Sequence, residues 1–268
     1  MRRATVSIVA VLALLVLALP AGAITGGTPD GEGHPNVGLM VATLDGEPQW
    51  RCSGTLVAPR VFLTAGHCVE VVNGAYVWFD TDLTDNPDYP YGGPSAYAGT
   101  PIVHPEFGWG SSDPHDVGVV ILDTPVTGIE PAPLPSPDLL GKLKKDRILR
   151  EGGPEGAYFT VVGYGNLLES WPPPVLASTR VRYVAESQYV ALTKTILHLS
   201  QKAVFDEGGT CFGDSGGPSF WVDADGHEIV VAVTSTGDAQ CVATGLNYRV
   251  DTPDILQWVY DQFPADGD

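Results

Sequence analysis

Short strand-like runs of apolar and β-branched residues recur along the chain, bounded by Gly, Pro, Asn and Asp: Val37 to Thr43, Gly54 to Val57, Tyr76 to Phe79, Val117 to Leu122, Phe159 to Val162, Val181 to Val184, Glu228 to Thr234 and Leu246 to Val250. This rhythm predicts an all-β fold, a sandwich or a barrel. No internal repeat is visible. From Glu130 to Gly156 the strand pattern lapses: Pro131, Pro133, Pro135 and Pro137 are followed by a polar stretch carrying Lys142, Lys144, Lys145, Arg147 and Arg150. That stretch reads as a connection between two halves, containing a short solvated helix. A second helix is signalled at the end of the chain. There Thr252 can cap, Pro253 suits the first helical position, and Ile255, Leu256, Val259 and Tyr260 follow at helical spacing.

The N-terminus stands apart from this pattern. Met1-Arg2-Arg3 precedes an apolar run from Ile8 to Leu19 and then Pro20-Ala21-Gly22-Ala23, the order of a secretory signal cleaved after Ala23. The run is too short to span a bilayer comfortably. Removing residues 1–23 takes away Arg2 and Arg3 but no acid, leaving 12 basic against 32 acidic side chains and moving the formal charge from -18 to -20. So acidic a surface argues against nucleic acid or an anionic membrane as partner. The remainder is long enough for one large domain or two small ones. Four cysteines in an exported chain favour two disulfides over a metal site, since no C-x-x-C or paired-His spacing occurs; three connectivities are open.

Three segments carry chemistry. Gly213-Asp214-Ser215-Gly216-Gly217-Pro218 sets glycines on both sides of a serine, which lets the backbone turn tightly, expose the hydroxyl and aim amide N–H groups at one point. It also fits the G-x-S-x-G elbow of α/β-hydrolases. In that fold the acid and the histidine follow the serine, whereas here His227 is the only histidine in the 53 residues after Ser215. The second segment is Leu63-Thr64-Ala65-Gly66-His67-Cys68, an apolar strand ending in a histidine beside a cysteine. The other histidines, His34, His104, His115, His198 and His227, read as surface residues. The third is His115-Asp116 followed by Val117 to Leu122, an aspartate at the mouth of a buried strand.

In the order His, Asp, Ser these segments resemble the chymotrypsin/trypsin-like serine proteases over most of the chain after residue 23, as a secreted, bacterial-type member with two disulfides. The resemblance implies two packed antiparallel β-barrels with the active site between them and a C-terminal helix. The first barrel is expected over about 24–130, the connection over about 131–156, and the second barrel with its helix over about 157–268. It further implies Ser215 as nucleophile, His67 as general base, Asp116 as orienter of the histidine, and the N–H groups of Gly213 and Ser215 as oxyanion hole. The family pairing joins Cys52 to Cys68 and Cys211 to Cys241.

Ile24-Thr25-Gly26-Gly27 resembles the family's mature N-terminus, whose freed ammonium pairs with the acid before the serine, here Asp214. Ile24 directly follows the expected signal cleavage site, so export itself is expected to create that terminus. By family spacing Gly209 and Thr210 form the base of the primary pocket, with Gly237 and Gly245 along its walls. Ser235-Thr236-Gly237 is the segment that pairs with substrate backbone. No acid stands at Gly209, so the expectation is an uncharged, roomy pocket for a medium or large apolar side chain. Asp80, Asp82, Asp85 and Asp88 read as a solvated acidic loop rather than a calcium site. No cofactor or metal is implied. The implied partners are protein or peptide substrates and protein inhibitors of a monomer. The alternative is a non-catalytic homologue serving as a binding module, a kind of chain that usually betrays itself by a substituted triad residue.

Overall fold

Val37 to Thr43 is buried along its whole length because both faces of its strand are covered. Met40 and Ala42 face the interior of one barrel, while Leu39 and Val41 join an apolar layer shared with a second. The computed structural model describes residues 24–264, apart from 153–155, 171–174 and 203–206. The expected signal, residues 1–23, lies outside the described residues.

The first half contains β1 (Thr28–Pro29), β2 (Val37–Leu44), β3 (Glu47–Ala58), β4 (Val61–Thr64), α1 (Gly66–Val69), β5 (Gly74–Trp78), β6 (Tyr97–Val103) and β7 (Gly118–Leu122). The connection holds α2 (Leu139–Lys145). The second half contains β8 (Tyr158–Gly163), β9 (Asn166–Ser170), β10 (Val175–Ser178), β11 (Tyr183–Leu192), β12 (Ile196–Ser200), β13 (Pro218–Val222), β14 (Glu228–Gly237), β15 (Thr244–Arg249) and α3 (Pro253–Asp261). Strands β2-β3-β4-β7-β6-β5 close an antiparallel barrel. A second closes in the order β8-β11-β12-β15-β14-β13, with β13 returning to β8. The two-barrel architecture of the chymotrypsin fold is therefore present, with its short C-terminal helix.

Phe62, Val77 and Val120 fill the first barrel, and Phe159, Leu197 and Val231 the second. Between the barrels Leu39, Leu63, Trp78 and Val119 meet Val162, Phe220, Val233 and Tyr248, and Ile255 and Val259 of α3 complete that layer. Thr252 occupies the cap position of α3 but makes no side-chain cap bond, and Tyr260 is exposed. The basic helix α2 is anchored as well as solvated. Leu140 is buried, and Lys144 Nζ donates to Leu192 O at 2.7 Å.

The N-terminal segment crosses to the other barrel. β1 pairs with β11, Thr25 bridges Gly209, and fully buried Ile24 packs into the second barrel's core. The first barrel therefore begins at β2 rather than at residue 24.

A buried polar knot binds this segment to both barrels. The guanidinium of fully buried Arg182 donates to Asp30 Oδ2 at 2.7 Å, Gly31 O at 2.9 Å, Val37 O and Phe79 O at 3.1 Å, and Tyr164 Oη at 3.2 Å. His34, read from sequence as a surface residue, belongs to the same knot. Its Nδ1 lies 2.5 Å from Asp30 Oδ1, its Nε2 lies 3.2 Å from Glu228 Oε1, and its ring stacks on Phe220. His104 is likewise buried, stacked on His115 and beside Trp258.

Burial alone would lower the pKa of His34, but hydrogen bonds to Asp30 and then Glu228 outweigh it and raise it from 6.5 to about 9. The fold thus favours the charged ring. Its contribution is complete below about 6.5 and is lost as pH rises through about 9. Thermal unfolding should show the melting temperature falling across that interval, by ~2–4 °C for each kcal/mol lost. His34→Gln should flatten this dependence; an equally steep fall in the variant would disprove the coupling.

Candidate active site

Strand β4 is buried from Val61 to Thr64 and delivers the chain into the single turn α1, which carries His67. The next residue, Cys68, is bonded to Cys52 of β3, so the histidine loop is tied to a barrel strand. Asp116 approaches from the start of β7. His115 before it has φ +46°, and Val117 N–H donates to His115 O at 2.8 Å, closing a tight turn centred on the aspartate.

The carboxyl of Asp116 is fully buried and well supplied with donors. His67 N–H donates to Oδ1 at 2.9 Å, His67 Nδ1 to Oδ2 at 3.0 Å, and Ser235 Oγ to Oδ2 at 2.5 Å. A carboxylate only accepts, so Nδ1 carries the proton and Nε2 is left as a base. Ser215 lines the same cleft as His67, without a hydrogen bond between them among the described residues.

The serine comes from a loop of the second barrel braced by the Cys211–Cys241 disulfide. Two of its glycines are obligatory. Gly213 has φ +98°, and at Gly216, φ +79°, a Cβ would stand 2.0 Å from Thr64 Oγ1. Gly216 N–H donates to Thr234 O and Gly217 N–H to Asp214 O, each at 2.8 Å.

Ser53, which sequence reading passed over, stitches this loop to the first barrel. Its N–H donates to Ser215 O at 2.8 Å, its hydroxyl donates to Gly213 O at 2.9 Å, and its Oγ accepts Tyr164 N–H at 3.0 Å. The signal was a hydroxyl in a fully buried stretch of strand beside a half-cystine.

Asp214 is also fully buried. Its oxygens accept Gly165 N–H at 2.7 Å and Cys211 N–H at 2.8 Å. Burial pushes its pKa up to about 7 against the pull of those amides and of Arg51. Ile24 is buried as well, held by the Thr25–Gly209 backbone pair at 2.8 and 2.9 Å, and the structure records no bond from Ile24 to Asp214.

The cleft at Ser215 has a volume of about 300 Å³ and is walled by Thr210 to Phe212 on one side and Thr234 to Asp238 on the other. Ser235, Thr236 and Gly237 thus lie beside the serine. Gly209 and Gly245 do not line the cleft. A Cβ on Gly209 would meet Gln201 Cγ at 2.2 Å and one on Gly245 would meet Gln201 Nε2 at 2.9 Å, so Gln201 packs against both glycines. At the rim stand Trp109, over the His67 ring at 5.9 Å, and Phe212, both more than half exposed. Neither was singled out in sequence, although an aromatic in the Gly-rich loop before Asp116 was a visible cue.

Outside the disulfides, two groups among the described residues bring possible metal-ligand atoms within 4.8 Å of one another: His104, Glu106 and His115, and Asp223, Asp225 and His227. The imidazoles of His104 and His115 stack at an interplanar angle of 14°. His104 Nδ1 already accepts Glu106 N–H at 3.2 Å.

With this geometry in place, comparison with known proteins is informative. The family model described as Trypsin matches residues 24–259. "Venom serine protease Bi-VSP" of Bombus ignitus is 31% identical over 191 residues, covering 64% of this chain and 48% of its own length. "Serine protease 1" of Drosophila melanogaster is 27% identical over 252 residues, covering 90% of this chain and 85% of its own. "Atrial natriuretic peptide-converting enzyme" of Mus musculus is 27% identical over 203 residues, covering 73% of this chain and 17% of its own. The chain therefore spans about half of the first relative and most of the second.

Ser53→Ala would strip Gly213 O and Tyr164 N–H of a buried partner, at a cost of ~1–3 kcal/mol. The expected outcome is a lower melting temperature together with slower reaction of Ser215 with a fluorophosphonate, because the loop loses its tie to β3. Unchanged reactivity in a destabilised variant would limit Ser53 to a structural role.

Proposed function

We propose, from the premise that the chain belongs to the trypsin family and is a serine endopeptidase, that His67, Asp116 and Ser215 are its catalytic triad. The observation that carries this reading is the bond from half-buried His67 to fully buried Asp116 at the cleft that Ser215 lines. His67 Nε2 takes the Ser215 hydroxyl proton as Oγ attacks the peptide carbonyl, then returns it to the leaving amine; water repeats the sequence on the acyl-enzyme. Asp116 holds the imidazole and stabilises its charged form. Backbone N–H groups of Gly213 and Ser215 receive the oxyanion, and the positive φ of Gly213 supports that role. Substrate backbone lies along Ser235, Thr236 and Gly237.

Asp214 gives this reading a control element. Burial pushes the Asp214 carboxyl toward neutrality despite the pull of Arg51, and the ammonium of a chain beginning at Ile24 would restore its charge and hold the Gly213 amide in place. The order of charge, apolar core and small residues before Ile24 supports export as the step that frees it, and with it a working site outside the cell. Among the described residues no helix is long and apolar enough to cross a membrane.

The secreted protein should begin at Ile24 by N-terminal sequencing, and a form retaining Ala23 should be far less active. A start elsewhere would sink the export step. A fluorophosphonate should label the purified protein at Ser215, with labelling abolished in Ser215→Ala, and His67→Ala should lower kcat by roughly 10⁴-fold or more. Absence of labelling in the intact protein would leave the non-catalytic binding module as the better reading.

A further inference from the structure

Two arginines open on one hollow beside the serine loop. About 570 Å³ in volume, it is lined by Arg51, Thr84, Tyr89, Ser178, Thr179 and Arg180, and it shares no residue with the cleft at Ser215. Its walls come from both halves of the chain and are fixed by backbone. Arg182 N–H donates to Thr81 O at 2.8 Å, Leu83 N–H donates to Arg180 O at 3.0 Å, and Asp82 bridges Val181 in antiparallel register.

Arg51, on β3 next to Cys52, joins the hollow to the reaction site. Its Nη1 donates to Thr179 O, and its Nη2 donates to Ser178 Oγ at 2.9 Å and Asn166 Oδ1 at 3.3 Å. A Cβ on Gly213 would stand 3.4 Å from Arg51 Nε and 3.5 Å from Nη2, so the guanidinium lies against the glycine whose N–H is assigned to the oxyanion. Arg180 lies over the Tyr89 ring at 5.0 Å, and its side chain makes no hydrogen bond among the described residues.

Neither guanidinium has an ion-pair partner among the described residues, although 32 acidic side chains outnumber 12 basic ones after residue 23. The buried arginines, by contrast, are matched: Arg182 with Asp30 at 2.7 Å and Arg249 with Asp251 at 2.8 Å. Asp82, beside the hollow, turns to its own loop and accepts Thr84 N–H at 2.8 Å. A clamp between the barrels would account for Arg51 alone. It does not account for Arg180, a half-buried cation with every donor free. Two fixed guanidiniums beside the hydroxyl-bearing Thr84, Ser178 and Thr179 offer donors and positive charge together, and a carboxylate answers both.

We infer that this hollow is a carboxylate-binding subsite for the half of the substrate that leaves with the amine, seating an aspartate or glutamate after the scissile bond. This rests on the reading of Ser215 as nucleophile. The acyl half is assigned to the cleft along Ser235 to Gly237, whereas the hollow meets the serine loop at Gly213 from the β3 side. On so acidic a chain the overall field disfavours acidic substrates, so a local cationic seat decides where their carboxylates settle.

Fluorophosphonate titration of the purified protein decides the nucleophile reading by itself. The hollow is judged separately, without turnover, by glutarate at millimolar concentration: it should raise the melting temperature of the unmodified protein more than that of Arg180→Gln. On enzyme that labels, peptides with one acyl half carry glutamate or glutamine at the first, second or third position after the scissile bond. At one of these positions glutamate should be favoured about fivefold or more in kcat/KM at low salt, and added NaCl should shrink the ratio. Arg180→Gln should erase the preference and Arg180→Lys should keep part of it. Both variants should hydrolyse an ester with no residue after the scissile bond at the unmodified rate. The inference is overturned if glutamate and glutamine are equal at all three positions, or if the preference survives in Arg180→Gln. Equal effects of glutarate on both proteins overturn the carboxylate site even where no labelling occurs. Inhibition of the ester reaction by glutarate would overturn the assignment to the departing half.

Discussion

The guanidinium of Arg182 reaches the N-terminal segment through Asp30 and Gly31, the first barrel through Val37 and Phe79, and the second through Tyr164. A fully buried cation is tolerated only when its donors are matched, and here carbonyls, a phenol and the Asp30 carboxylate match them. The consequence is positional. His67 and Asp116 belong to one barrel and Ser215 to the other, so any slip between barrels changes the distance across the cleft, and in the proposed triad an ångström there costs orders of magnitude in rate. Apolar packing between Leu39, Val119, Phe220 and Val233 supplies cohesion across that interface. Direction comes from the hydrogen bonds, which alone specify one relative placement.

Ser53 plays the corresponding part at the mouth of the site. Its contacts with Gly213, Ser215 and Tyr164 run from the first barrel into the loop of the second. Ser235 does the converse, reaching from the second barrel to Asp116 of the first. Each barrel thus holds the other's side of the cleft by at least one short, directed bond.

Much of this was legible in residues alone. The eight runs first identified all fall on or against strands, and the Gly-Asp-Ser-Gly-Gly and Ala-Gly-His-Cys segments lie on the two sides of one cleft. Strands that escaped notice lack a pattern to read. β6 contains Gly99 and Pro101 and is half-buried throughout, β12 is interrupted by His198, and β13 starts on the proline that ends the serine loop. Polar partners were the larger loss. His34 looked like any histidine in a Gly- and Pro-rich turn, since one carboxyl partner, Asp30, is an ordinary turn aspartate and the other, Glu228, lies 194 positions away. Gly209 looked like an empty pocket base because a glycine announces vacant space without saying what takes it. Gln201 was invisible for the same reason: only the folded register of β12 against β15 brings it there.

The crossing of the N-terminal segment has a temporal side. Thr25 pairs with Gly209, 184 positions later, and Ile24 packs among strands that leave the ribosome after the first barrel is complete. Ile24 and Thr25, made early, therefore dock among the last, on a surface that does not exist until nearly the whole chain is present. Closing so long a loop is slow relative to local pairing. A partly synthesised or truncated chain can hold a finished first barrel and still lack the seat for Ile24 and Thr25, so docking of that segment is postponed to the end of folding by topology alone.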